Sequence, residues 1–250
     1  CFPNLLINPD FKINQRGSSS YSGSSGYYTA DRWVLITVGN LYLYDDYLQL
    51  RSGSLGQYIE QELLPSTQYT LSVSYAISGS TRQTDTVTFT TPASTPTSNT
   101  VVGTIRVNTY LSFNVRYYTS PGYYAVTFEK SYPTYVNFYW VKLEQSPTAT
   151  PFVPPDITTE LLKCQRYYYR VPDRFRVLSM YDGGKNFVLD TIFFPVQMRT
   201  TPTISLTLYR NVNGVSQAIA SGHEESENFV TLWSNSGYSG YLTAECYLYY

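Results

Sequence analysis

Between Gln68 and Ser78 the chain alternates with a period of two. Tyr69, Leu71, Val73, Tyr75 and Ile77 take one parity, and Thr70, Ser72, Ser74 and Ser78 take the other. A helix would scatter these residues around its circumference, whereas an extended strand puts each set on its own face. The segment is predicted to be a half-buried strand. The same period returns at Val87 and Phe89 among Thr86, Thr88 and Thr90, and at Ile105 and Val107. It returns again at Leu111, Phe113, Val115 and Tyr117, and at Tyr124, Val126 and Phe128. Short strands recurring between turn residues predict a β-sandwich. Thr91–Thr100, rich in Pro, Ser and Thr, reads as a polar loop between two of them.

The strand Tyr135–Leu143 breaks the rule. Val136, Phe138 and Trp140 alternate with Tyr139, Val141 and Leu143, so both faces are apolar. That pattern predicts a strand in the middle of the sandwich, or one covered from outside the domain. Pro147, Pro151, Pro154 and Pro155 then make a stiff connector that cannot be helix interior. After it Ile157, Leu161, Cys164 and Tyr168 recur at helical spacing, with Asp156 placed as N-cap, which predicts one helix over about Ile157–Tyr169. From Pro172 the β pattern resumes. Asp182-Gly183-Gly184 reads as a turn, and Thr203–Arg210, Asn213-Gly214 and Val215–Ala220 as a hairpin. Phe229–Trp233 and Tyr241–Tyr249 read as closing strands. The expected fold is all-β: two β-sandwich, jelly-roll-like domains, 1–152 and a smaller 153–250, joined by the Pro-rich connector and one short helix.

Composition narrows the function. Only 14% of the 250 residues are charged and the formal net charge is -1, so no basic field exists to hold a phosphate backbone, and nucleic acid is not an expected partner. No apolar run approaches membrane-spanning length. The 27 tyrosines suit strands and recognition surfaces alike, since each offers a rigid ring and a hydroxyl at small entropic cost. Cys1, Cys164 and Cys246 form no even framework and read as reduced thiols, in keeping with folding in a cytoplasm. A first residue other than Met suggests a fragment or a processed chain.

Several sequence words resemble phage and prophage tail proteins. They are Asn4-Leu5-Leu6-Ile7-Asn8-Pro9-Asp10-Phe11, Ile13-Asn14-Gln15-Arg16-Gly17 and Tyr28-Thr29-Ala30-Asp31-Arg32-Trp33. Gln57-Tyr58-Ile59-Glu60-Gln61 and Tyr69-Thr70-Leu71-Ser72 resemble galactose-binding-like jelly-roll carbohydrate-binding modules. The join Lys142-Leu143-Glu144, Ala149-Thr150-Pro151-Phe152 and Glu160 to Tyr168 resembles that family's bridge into a C-terminal fibre domain, and Pro195 to Thr203 resembles that domain's core. The resemblance implies a virion protein of tail-fibre or appendage type, assembled in the host cytoplasm and commonly homotrimeric. Its implied partners are other virion proteins and a host surface glycan or receptor. A purely structural decorating protein, or a module of a capsular depolymerase, are the competing readings. In local terms Asn8-Pro9-Asp10 is expected to turn between two strands, and Arg32 to ion-pair or stack beside a buried Trp33.

No catalytic residue and no cofactor is expected. The single histidine, His223, reads as a solvated loop residue beside Glu224, Glu225 and Glu227, with no metal assigned. Asp31, Asp45, Asp46, Glu60, Glu62, Asp85 and Glu129 form no recognisable pair for sugar cleavage. Related modules often place Glu after the first strand to hold calcium; Lys12 stands there instead, beside Asp10. A sugar-binding face needs aromatic platforms with amide, acid or guanidinium groups around them. Tyr42, Tyr44, Tyr47 and Gln49, near Asp45, Asp46 and Arg51, fit that need on the parity opposite Leu41, Leu43, Leu48 and Leu50. Trp233, Tyr238 and Tyr241, in or beside the Ser234–Gly240 loop, form the second candidate. Subunit packing is the alternative use of both.

Overall fold

A computed structural model of the chain describes residues 2–131, 133–172, 175–176, 179–182, 185–212, 215–219, 221–234 and 239–246. The fold is all-β with a single helix among the described residues. It divides into two compact units, one running to Leu161 and the other starting at Leu162.

In the first unit the strands are β1 (Ser20–Gly23), β2 (Val34–Leu35), β3 (Gly39–Leu43), β4 (Leu48–Ser52), β5 (Leu55–Tyr58) and β6 (Gln68–Ile77). They continue with β7 (Gln83–Thr90), β8 (Thr100–Asn108), β9 (Leu111–Tyr118), β10 (Tyr123–Lys130) and β11 (Val136–Glu144). A six-stranded sheet runs β1-β3-β4-β11-β6-β7 and a five-stranded sheet runs β2-β5-β10-β9-β8. The two face each other as a sandwich over an aromatic core. Phe128 of β10 stacks on Phe138 of β11 with centroids 4.1 Å apart, and Phe113 of β9 meets Phe138 and Tyr75 edge-on.

Two strands depart from the sequence expectation. β6 is buried on both faces, because β11 and β7 flank it and its polar side is roofed as well. Thr70 and Ser72 meet Thr88 and Thr86 of β7 hydroxyl to hydroxyl, and Thr70 Oγ1 also donates to the Ser146 carbonyl at 2.8 Å. In β11 the two apolar faces resolve into one. The register pairs Phe138 with Tyr75 and Trp140 with Ser74, so Tyr139 is an extra residue, a β-bulge. The bulge inverts parity, so Val136 and Phe138 before it and Val141 and Leu143 after it all enter the core.

β4 pairs only with Val136–Phe138 of β11. Beyond the bulge the N-terminal segment takes that side: Val141 N–H donates to Pro9 O, Leu5 N–H to Leu143 O, and Leu143 N–H to Asn4 Oδ1. The turn at Asn8-Pro9-Asp10 thus precedes the first strand rather than joining two strands. Asn8 itself is wholly buried and acts as a hub. Its Nδ2 donates to Ile13 O and Asp31 O, its Oδ1 accepts from Ile13 N–H, and its carbonyl accepts from Trp33 Nε1. Its own N–H donates to Glu160 Oε1 at 2.6 Å, across 152 positions of chain. Asn8, Phe11 and Arg32 all take positive φ around this knot, a backbone state unfavourable for Phe and Arg that tertiary bonds must hold. Arg32 Nη2 donates to Tyr58 O at 2.6 Å, so its guanidinium is fastened by a backbone carbonyl.

The Pro-rich connector is strapped onto the outer side of β11. Trp140 lies parallel on Phe152, centroids 4.6 Å apart. Buried Lys142 and Glu144 form an ion pair at 2.9 Å, and Thr150 donates from both its N–H and its hydroxyl to the Glu144 carboxylate. The helix α1 (Ile157–Gln165) follows, with Asp156 Oδ1 accepting Thr159 N–H as the expected cap. It ends before the predicted Tyr169, since Tyr168 is drawn into a strand, and Ile157 is exposed while Glu160 and Cys164 are buried.

The second unit contains β12 (Tyr168–Arg170), β13 (Phe175–Arg176), β14 (Ser179–Asp182), β15 (Lys185–Phe193), β16 (Thr203–Val212) and β17 (Val215–Ile219). It also contains β18 (Ser221–Glu225), β19 (Phe229–Ser234) and β20 (Ser239–Glu245). One sheet runs β12-β20-β16-β17 with β13 also on β20, and the other runs β14-β15-β19-β18. Val230 and Leu232 of β19 share a core with Leu242 and Ala244 of β20, so both sheets contribute to one interior. β16 and β17 pair up to Val212 with Val215, as the hairpin reading requires. Its turn residues Asn213 and Gly214, the turn pair Gly183 and Gly184, and the chain end from residue 247 lie outside the described residues. Cys164 and Cys246 are buried, and Cys1 lies outside the described residues.

Asn8→Ala should lower stability by about 3 kcal/mol or more in equilibrium urea unfolding, because it orphans several buried polar groups at once. A loss within about 1 kcal/mol, the size of one ordinary hydrogen bond, contradicts the hub. A second outcome concerns pH. Burial works against the Glu144 charge, but the Thr150 hydrogen bonds and the Lys142 ammonium outweigh it and hold the carboxyl below its ordinary value. Stability from such a group is present above the unfolded value and is lost as pH falls through the folded one. The native chain should therefore weaken on acidification below the ordinary glutamate value of 4.5. Glu144→Gln should flatten that slope and cost about 3 kcal/mol at neutral pH, where Lys142 is left buried without its counter-charge. Asp31, pushed up by burial, contributes with the opposite sign and is untouched by the substitution. Unfolding curves across pH 3 to 7 check this, and an unchanged slope contradicts it.

Candidate ligand-binding face

β3 and β4 pair with Leu41 opposite Leu50, Tyr42 opposite Gln49 and Leu43 opposite Leu48. Leu41, Leu48 and Leu50 enter the core, which sends Tyr42, Gln49 and Arg51 to the outer side of the sheet. Tyr44 and Tyr47 sit at the hairpin tip, closed by Tyr44 N–H donating to Tyr47 O. Their rings stack at 4.8 Å, and Tyr47 meets Tyr139 at 5.7 Å. Neighbouring structure and the phenols of Tyr44, Tyr139 and Tyr135 push the Tyr47 hydroxyl upward, so it stays a neutral donor at ordinary pH. Tyr44 and Tyr47 thus share one aromatic surface with Tyr139, while the Tyr42 ring makes its contact with Arg51.

Gln49 has a different place. It is 6% exposed, and its amide is engaged between neighbours: Nε2 donates to Asn137 Oδ1, and Oε1 accepts from Arg51 Nε at 2.9 Å. It aligns the surface rather than opening onto it. The Arg51 guanidinium lies 3.9 Å over the Tyr42 ring, and the Arg82 guanidinium lies 4.2 Å over Tyr139, with its Nε donating to Ser74 Oγ. Tyr139, Asn137 and Arg82 escaped the sequence reading. The bulge hides the outward parity of Tyr139, and Arg82 arrives from the turn before β7. A hollow of about 320 Å³ opens beside Tyr44, lined in part by Phe11, Lys12, Asn14 and Asp45. Lys12 there donates to the Asp45 carbonyl and approaches Asp46 at 3.4 Å.

The second predicted cluster is divided. Trp233 is on β19 and Tyr241 on β20, strands of different sheets, and Tyr238 lies outside the described residues. Tyr241 is 47% exposed and packs edge-on against Tyr209. Trp233, 44% exposed, lies over Gly222, where a Cβ would fall 2.3 Å from its Nε1. On the same outer side of that sheet Phe193 and Phe229 sit opposite each other, 71% and 38% exposed.

His223 belongs to β18 instead of a loop, because its segment pairs with β19; its Nδ1 is 3.9 Å from Glu225. Among the acids, Asp31 accepts from Gln15 N–H, Asp85 accepts from the Tyr75 hydroxyl, and Glu129 pairs with Arg116 at 2.7 Å. Glu60 and Glu62 line a cleft of about 660 Å³ at a loop end of the sandwich, with Tyr117, Tyr123 and Tyr124. Three distant segments build that cleft, so nothing in local sequence marks it.

The bulge makes adjacent residues of β11 unequal. Phe138→Ala should cost about 3–5 kcal/mol in urea unfolding, as a large core truncation does. Tyr139→Ala, on the outer side, should cost about 1 kcal/mol or less. Equal losses contradict the inverted parity. Compared with known proteins, the chain matches no family model and no curated protein.

Proposed function

We propose that the chain is a non-enzymatic virion protein of phage tail-fibre or appendage type whose first unit presents a glycan-binding face to the host. The observation that carries the glycan reading is the run of rings Tyr44, Tyr47 and Tyr139, with the Gln49 and Asn137 amides hydrogen-bonded to each other on the neighbouring strands. Rings of this kind accept the apolar face of a pyranose, and the surrounding amides and guanidiniums suit its hydroxyls. The virion assignment rests on the resemblance of Asn4–Phe11, Ile13–Gly17 and Tyr28–Trp33 to phage tail proteins. Each ring contact is worth only about 0.5–1.5 kcal/mol, so weak single sites gain from avidity in the homotrimer that the resemblance implies.

A second reading has its own observation. Phe193, Phe229 and Trp233 expose apolar surface on one sheet side of the second unit, which suits packing against other virion proteins or other copies of the chain. The two readings can hold together, one for each unit.

A glycan array probed with the whole chain should give clear binding that Tyr44→Ala reduces about tenfold or more without shifting the unfolding midpoint, since loss of this ring removes both a stacking surface and the support of Tyr47. Absence of binding to any glycan, with assembly onto other virion proteins retained, overturns the glycan reading.

A further inference from the structure

We propose that the tyrosine face selects glycans bearing a carboxylate, with Arg51 and Arg82 as the groups that hold it. This rests on the glycan reading of the same face. Each guanidinium carbon lies over a tyrosine ring, Arg51 3.9 Å from the Tyr42 centroid and Arg82 4.2 Å from the Tyr139 centroid. Each is also pinned at Nε by a side-chain oxygen, Gln49 Oε1 for one and Ser74 Oγ for the other, both at 2.9 Å. Neither has a carboxylate partner among the described residues. Of the acids in neighbouring segments, Asp46 lies 3.4 Å from Lys12 and Asp85 accepts from the Tyr75 hydroxyl.

The ring contact and the Nε hydrogen bond together hold each guanidinium at two points. The terminal Nη–H groups are therefore presented in a set direction before any ligand arrives, and that planar fork matches a carboxylate. Tyr44, Tyr47 and Tyr139 run ring to ring from the hairpin tip, and Tyr42 stands on β3 two residues before Tyr44. Arg82 thus stands at the Tyr139 end of the row of rings, and Arg51 lies over Tyr42 on the neighbouring strand pair. A sugar seated on the rings brings an acidic substituent, or an acidic neighbouring residue, to one guanidinium or the other.

The test uses the whole chain and an array of matched glycans, each uronate- or sialate-containing member printed beside its neutral, carboxyl-reduced counterpart. The native chain should bind the acidic members about tenfold more tightly, and the preference should shrink as salt is raised. Arg51→Gln and Arg82→Gln should each narrow the ratio of acidic to neutral binding and the double variant should bring it to one, with the unfolding midpoint retained. Equal binding of acidic and neutral members, both lost in Tyr44→Ala, overturns the carboxylate inference and leaves the glycan face standing. A preference that survives in the double variant overturns it as well. Absence of binding to every member overturns both readings.

Discussion

One extra residue in β11 decides how the first unit is used. Tyr139 bulges out of the ladder with β6, and everything after it changes parity. Without the bulge, Phe138 and Val141 could not both enter the core, and the Phe128–Phe138 stack that joins the two sheets would stand beside an outward Val141. With it, the core keeps its apolar residues while Trp140, Lys142 and Glu144 turn to the outer side. The bulge also ends the pairing with β4, which opens that side of β11 to the N-terminal segment. Core, connector and N-terminus thus meet at one irregularity.

The outer side of the six-stranded sheet is divided in consequence. Over β6 and the second half of β11, the connector forms a roof through Thr70, Lys142, Glu144 and the Trp140–Phe152 stack. Over β3, β4 and the first half of β11 the sheet stays open, and there the tyrosines and the two arginines gather. The same sheet therefore carries a roofed half and an open half, and the open half is the one proposed to present a ligand face. Hydrogen bonds of the Gln49, Asn137 and Arg51 type order the open half without closing it.

Much of this was legible from residue spacing, and the failures have physical reasons. The alternation of Gln68–Ile77, Leu111–Tyr118 and Tyr123–Lys130 located three central strands, because apolar parity follows directly from the pleat. The capped helix after the prolines was legible for the same local reason. Asn8, Asp31 and Trp33 stood out as words of a resemblance, but their role as one buried knot involves partners up to 152 positions apart, which no local pattern contains. The bulge was misread as a strand with two apolar faces, since a parity inversion and a doubly buried strand look alike in one dimension. Tyr42, Tyr44 and Tyr47 were found by parity alone; Tyr139 and Arg82 were not, because one sits on the bulge and the other on a different hairpin. Trp233 and Tyr241 are close in sequence, yet the chain changes sheet between them.

The central claim is that the ring surface around Tyr44, Tyr47 and Tyr139 is where the chain meets a sugar. Hydroxyl-radical footprinting of the whole chain, with and without the tightest-binding glycan of an array, tests it most directly. The account predicts that oxidation of Tyr44, Tyr47 and Tyr139 falls on binding while Phe193, Phe229 and Trp233 remain as reactive as before. Unchanged reactivity at the three tyrosines, with protection appearing at the aromatic residues of the second unit, would contradict it.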